Sequence, residues 1–326
     1  ADNRKILVRF PIWLGDMVMA VGFLNVLKSF YPGAEVTVIV KKGLQGLLPL
    51  YPDIKEVVVF DKSENKGLRS AWRFGRQLKS KETWDVFFCL PDSLSAAVMG
   101  LATGAKKRVG FKKEGRSLLL THAYAKPKQK HRVEEYVALL NLFTGRAVTE
   151  INVTLQQNKV PEDYLVLNIN SEASSRRLTI AKAVEIISTL RMNIRQKIVL
   201  IGAPKEKAFI DAVLALVPQS EGIENRAGDT TLPQLAQLLG SAKAVLTTDS
   251  GPAHLANALQ TPTIVLFGAG NEANTAPYMS QYRTVIRLGE LSCEPCRKNV
   301  CVRYETPQCL ERLNTQLIVQ QVKAKL

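Results

Sequence analysis

The chain has 326 residues, 46% of them hydrophobic and 22% charged, and a net charge of +15. This is the composition of a folded globular protein long enough for two domains, and it excludes a disordered or fibrous chain. No run of 18 apolar residues occurs, so no membrane-spanning helix is expected, and the apolar stretch at 6–10 is too short for a signal peptide, which makes a cytoplasmic protein the expectation.

The positive charge is uneven. Residues 1–150 hold 25 Lys/Arg against 14 Asp/Glu, and residues 151–326 hold 19 against 15. The densest part is 104–132, where ten basic residues, Arg108, Lys112, Arg116 and Arg132 among them, stand against Glu114 alone. Such a segment points to an acidic partner (nucleic acid, an anionic membrane surface or a phosphorylated glycolipid), or it is simply a solvated face.

In chain order, 5–10 reads as a strand, 11–16 as a loop and 17–30 as an amphipathic helix, the opening of a doubly wound α/β domain. There is no G-x-G-x-x-G, so a dinucleotide fingerprint is not supported. Asp16, at the helix start, is either a first-turn aspartate favoured by the helix dipole or a carboxylate at the carboxyl end of strand one, where α/β ligands bind. Strands follow at 35–40, 56–60, 85–90 and 108–111, and helices at 43–50, 67–78, 93–103 and 131–143. His131, at the last of these helix starts, reads equally as a surface cap or as a ligand contact. Residues 144–164 have the polar, Pro-containing character of an interdomain connection.

A second α/β domain opens with a strand at 164–170. A small-residue loop, 171–175, then leads to the basic pair Arg176-Arg177. A strand at 197–202 precedes a short strand and loop at 223–228, where Glu224 or Asn225 is the candidate to meet ribose hydroxyls. After a helix at 232–240 comes AVLTTDSGPAHLANALQTPTIVLFG, 244–268, which reads strand, loop, helix, loop, strand. Ser250 is a natural helix N-cap and Pro252 suits a first turn. A helix N-terminus is a ready anion site, and Gly251 lets a phosphate approach the backbone. Asp249 and His254 flank the loop and can hydrogen-bond a ligand. The plain alternative is an ordinary strand-to-helix turn with a core histidine. A helix at 316–326 closes the chain. Cys293-x2-Cys296-x4-Cys301-x7-Cys309 has the count of a Zn or Fe–S site but an irregular spacing; free thiols are the other reading.

The run TDSGPAHLANAL-x-TPTIVLFG is similar to the C-terminal signature of glycosyltransferase family 9, the lipopolysaccharide heptosyltransferases, in the DSG-PAH form of the heptosyltransferase II branch. Gly15-Asp16 resembles the family's G-D at the first helix, and His131-x-x-Glu134 its His-x-x-Glu. Arg176-Arg177 stands where the family carries a basic pair before Trp-Pro, here replaced by Leu178-Thr179. The resemblance implies a GT-B architecture: two Rossmann-like doubly wound domains facing across a cleft, an acceptor domain at 1–155 and a donor domain at 156–312, with a last helix at 313–326 crossing back to the first.

It also implies an inverting glycosyltransferase that moves heptose from ADP-heptose to the lipopolysaccharide inner core at the cytoplasmic face of the inner membrane. Asp16 would be the general base. Gly15, His131 and Arg132 would face the acceptor, while Ser174, Arg176, Arg177, Asp249, Ser250, Gly251 and His254 would hold the donor. Within that reading Arg108, Lys112 and Arg116 would hold acceptor phosphates or acidic sugars. No metal and no cofactor beyond the nucleotide sugar is expected. Three alternatives stand beside it: a transferase using another nucleotide sugar, a nucleotide-sugar epimerase of the same architecture, and a nucleic-acid-binding protein, which the lack of interleaved aromatics disfavours.

Overall fold

A computed structural model of the chain describes residues 3–64, 66–113 and 115–326. The chain separates into two compact units, Ala1–Val153 and Thr154–Leu326. In the first, β1 (Lys5–Arg9), β2 (Glu35–Lys41), β3 (Glu56–Phe60), β4 (Val86–Cys89), β5 (Lys107–Phe111) and β6 (His122–Tyr124) form a sheet of order β3-β2-β1-β4-β5-β6. Every pairing is parallel, with Ile6 opposite Val36 on one side and Val86 on the other. The inner strands are continuous apolar runs because helices cover both faces of a parallel sheet, so alternation is lost. The strand order reverses between β1 and β4. The loops leaving their carboxyl ends therefore part there and leave a crevice.

The second unit repeats the winding. β7 (Tyr164–Asn168), β8 (Lys197–Leu200), β9 (Ile223–Asn225), β10 (Ala244–Thr248), β11 (Thr263–Phe267) and β12 (Arg283–Arg287) form an all-parallel sheet of order β12-β11-β10-β7-β8-β9. Its reversal lies between β7 and β10. The closing helix, which the resemblance sends back to the first domain, runs from Thr315 to Lys323 and seats Ile318, Val319 and Val322 in the second unit's own core, packed on the helix Ile180–Asn193.

Some elements differ from the sequence reading. The first helix starts at Leu14, so Asp16 lies within its first turn. Residues 45–50 form a 3-10 turn with Pro49 inside, which limits its length. The helices Ile180–Asn193 and Lys207–Leu214 and the strands β6 and β12 are additions to the sequence reading. β6 has three residues, and β12 is an edge strand with Arg at both ends and only Ile286 buried. Among the described residues no helix is long and apolar enough to cross a membrane.

Candidate active site

Each reversal point carries a cluster of polar groups. In the first unit the crevice is a pocket of about 830 Å3, with Arg9 from the end of β1, Asp16 from the first helix, Asp92 from the β4 loop and Arg132 and Tyr136 from the helix Arg132–Thr144 in its wall. The Tyr51 hydroxyl donates to Met17 O at 2.9 Å and pins the helix that carries Asp16. Burial pushes the Asp16 carboxyl up, against the pull of Arg132 and Lys126. The Arg132 guanidinium lies 3.6 Å from Asp16 and 3.2 Å from Glu135, and the Tyr136 hydroxyl bonds the same guanidinium. Asp16 is thus a carboxylate in a half-dry pocket beside an oriented cation, an arrangement suited to taking a proton from a bound hydroxyl.

The other expected acceptor residues fall elsewhere. Gly15 is Asp16's chain neighbour. His131 is the N-cap of its helix: its Nδ1 accepts from the Val133 N–H at 3.1 Å, while the Glu134 carboxylate accepts the His131 N–H at 3.2 Å. Arg116 is fully buried, its Nη1 donating to Pro91 O at 2.6 Å and Ser93 O at 3.2 Å; it braces the β4 loop from behind rather than facing a ligand. Arg108, near the start of β5, is at the opposite end of the sheet and is tied to Leu119 O and Ala105 O. Lys112 is exposed and outside the pocket wall, although Lys113 is in it. Lys62 and Lys66, which the sequence reading passed over, also line the pocket.

In the second unit the groups gather at the carboxyl ends of β7 and β10. Asp249 follows β10 and is 5% exposed. Arg176 Nη1 stands 3.6 Å from its Oδ2, an oxygen that accepts no hydrogen bond. Burial pushes the Asp249 carboxyl up to about 6 despite Arg176 and Arg287. Gly270 packs against it so closely that a Cβ there would lie 2.1 Å from Oδ2. Ser250 occupies the N-cap of the helix Gly251–Ala258, but its side chain does not cap it. Its hydroxyl instead donates to Thr248 O at 3.1 Å and accepts from Asn168 Nδ2 at 2.9 Å. The helix N-terminus therefore takes no side-chain acceptor of its own, as suits a site for a diphosphate. His254, in the first turn, is buried.

Ser174 and Arg176 share a 3-10 turn. It is anchored by Ser175, whose hydroxyl donates to Lys298 O at 2.6 Å. Arg177 differs from its neighbour: Nη2 donates to Ser171 O at 2.9 Å and its guanidinium lies over the Phe209 ring, so it supports the loop. Glu224 is on the edge strand β9, three strands from β10, and pairs with Lys197 and Arg226. Two residues of this site escaped the sequence reading. Asn168 links β7 to Ser250; an asparagine inside an apolar strand is the signal that marks it. Arg287 pairs with Glu272 and Glu294 and donates to Gly268 O at 2.7 Å, holding the loop beside Asp249. Cys293, Cys296, Cys301 and Cys309 are all free thiols around a small cavity of about 20 Å3. Burial, with Glu294 near it, pushes the Cys309 thiol up to about 11. Among the described residues no group of three or more His, Cys, Asp or Glu is arranged to hold a metal ion.

This chain is similar to known proteins along most of its length. It is 29% identical to a lipopolysaccharide heptosyltransferase 2 of Salmonella typhimurium, over 87% of this chain and 88% of that one. It is 27% identical to the lipopolysaccharide core heptosyltransferase OpsX of Haemophilus influenzae, over 81% and 79%. A solved E. coli ADP-heptose lipopolysaccharide heptosyltransferase II superimposes with a TM-score of 0.82 at 25% identity, covering 98% of each chain. The fold class is accordingly α/β, in the GT-B architecture of these enzymes. A sequence model of glycosyltransferase family 9 (heptosyltransferase) matches residues 71–306, a span that includes Arg176, Asp249 and the DSG-PAH run, and the chain belongs to that family of glycosyltransferases.

Proposed function

We propose that this chain is an inverting heptosyltransferase that takes its sugar from ADP-heptose and adds it to the lipopolysaccharide inner core. The Salmonella and E. coli relatives are named as lipopolysaccharide heptosyltransferases, the latter with ADP-heptose. The observation that carries the reading is the half-buried Asp16 carboxylate past the carboxyl end of β1, in a pocket walled by Arg9, Lys62, Lys66, Lys113, Lys126 and Arg132. A pocket so cationic suits an acceptor rich in phosphates or acidic sugars.

Asp16 accepts the proton of the acceptor hydroxyl while that oxygen attacks the anomeric carbon of the heptose. The bond from that carbon to the diphosphate oxygen breaks, its electron pair leaves with ADP, and the configuration inverts. Arg176 and the uncapped N-terminus of Gly251–Ala258 meet the charge that builds on the diphosphate. On this reading ADP-heptose is a co-substrate and the chain's own groups perform the step, with no cofactor called for.

The reading also places the chain on the cytoplasmic face of the inner membrane as a peripheral protein. Exposed Lys106, Lys107, Lys112, Lys113, Lys128 and Lys130, with Leu118 91% exposed among them, support attachment to an anionic surface. The experiment is to incubate the protein with ADP-heptose and an inner-core acceptor lacking its second heptose, and to weigh the product. One added heptose with release of ADP is the expected result. Transfer only from a UDP- or GDP-sugar, or conversion of donor without acceptor, overturns it.

A further inference from the structure

Arg9 closes β1, and a charged residue at the end of a buried strand is costly unless something pairs with it. Its side chain is 4% exposed yet forms part of the wall of the first unit's pocket. Among the described residues no carboxylate pairs with it. Nη1 makes one long bond to Ile39 O, 3.4 Å, and Nε has no hydrogen-bond partner. The guanidinium lies 5.1 Å from the centre of the Phe60 ring, which orients it without neutralising it. Among the described residues the Cys89 thiol is the one titratable group acting on it.

The pocket's acids are all engaged with other cations. Asp16 faces Arg132, and Lys126 bonds Asp92. Near Phe60 the wall is supplied by Lys62, Ser63 and Lys66, with no acid among the described residues there. The pocket wall therefore holds a base among paired charges together with a guanidinium that, among the described residues, has no carboxylate partner.

We infer that Arg9 reads an anionic substituent of the acceptor, a sugar carboxylate or a phosphate, and so sets which acceptors present a hydroxyl to Asp16. This rests on the proposed heptosyl transfer for the identity of the acceptor, though not for the presence of the anion site. A guanidinium pairs side-on with a carboxylate or phosphate through two parallel bonds, one of them from Nε, and here Nε has no protein acceptor among the described residues. Lysine at this position would supply charge but not the paired bonds.

The test has two arms. In the first, KM is measured for the intact acceptor, for the same acceptor with its carboxyls reduced to alcohols, and for the acceptor with its phosphates removed. The native protein is expected to prefer one acidic form by about tenfold or more, and Arg9→Met to reduce that preference to about twofold or less, with Arg9→Lys between. Whichever neutralised acceptor loses the preference identifies carboxylate or phosphate as the group read. Equal preference in the native protein and Arg9→Met overturns the inference. In the second arm the Arg9 Nε–H resonance of the native protein is followed during titration with glucuronate and with inorganic phosphate, without donor. A saturable shift with either anion, absent with glucose, supports the site even if Arg9→Met fails to fold; no shift with either overturns it. A shift in a protein that transfers no heptose keeps the anion site and sinks the proposed reaction.

Discussion

Arg132 holds its guanidinium 3.6 Å from the Asp16 carboxylate, each residue in the first turn of its own helix. Burial raises the Asp16 carboxyl and the cation lowers it. As the proposed general base, Asp16 must be ionised, so turnover is expected to rise as pH rises through its titration. Arg132→Met removes the cation, and the acid limb of the pH–rate profile is expected to move to higher pH. Asp16→Asn is expected to lower kcat by about 10^2- to 10^4-fold while ADP binding, followed by calorimetry, changes by less than about twofold. An acid limb that stays put in Arg132→Met would show that another group is the base.

Asp249 gives a second pH dependence, this time in stability. Its carboxyl is pushed up to about 6 in the fold from an ordinary 3.8. Between about pH 4 and 6 the unfolded chain has lost this proton and the folded chain still holds it, so this group's contribution to stability falls as pH rises through that window. Two pH units correspond to about 3 kcal/mol at most. Urea unfolding of the native protein and of Asp249→Asn across pH 4–7 checks it. The difference should turn toward the variant as pH rises. Arg176→Met, which removes the opposing cation, should carry the change to higher pH. Parallel curves for native protein and Asp249→Asn would place the carboxyl at its ordinary value.

Much of this was legible before the structure. The βα alternation, the strand end at Thr248, and the positions of Asp16 and Asp249 just past strand ends follow from apolar runs broken by Gly, Pro and Asp. What the sequence hid was direction. Arg176 and Arg177 are adjacent and chemically alike, but one faces Asp249 and the other bonds Ser171 O, a difference set by a three-residue 3-10 turn. Arg116 is at the centre of the densest basic stretch and is fully buried, because the β4 loop offers it carbonyls. Arg287 escaped because an edge strand with charges at both ends lacks a period-two pattern. Local charge density does not report which way a long side chain turns.

Gly270 is where backbone and carboxylate come closest. A Cβ there would lie 2.1 Å from Asp249 Oδ2, inside any allowed contact, so Gly270→Ala must displace the carboxylate or the loop. The expected cost is about 1–3 kcal/mol of stability together with weaker ADP binding. A double-mutant cycle identifies the contact. In an Asp249→Ala background most of the stability cost of Gly270→Ala should disappear, because the two residues share one space. Additive costs would mean that the new methyl meets something other than Asp249.

His131 separates structural from ligand roles. Its Nδ1 accepts the Val133 N–H, and Glu134 accepts the His131 N–H, so together they satisfy two otherwise unpaired donors of the helix that carries Arg132. His131→Ala removes one of those acceptors and is expected to cost about 0.5–2 kcal/mol in thermal or urea unfolding. His131→Ser restores a short acceptor at the cap and should recover a good part of that loss. If capping is the whole role, KM for the acceptor stays within about twofold in both variants, since Arg132 keeps its place through Glu135 and Tyr136. A tenfold rise in acceptor KM in His131→Ser, with stability recovered, would mean that the imidazole itself meets the acceptor and that the cap is incidental to its function.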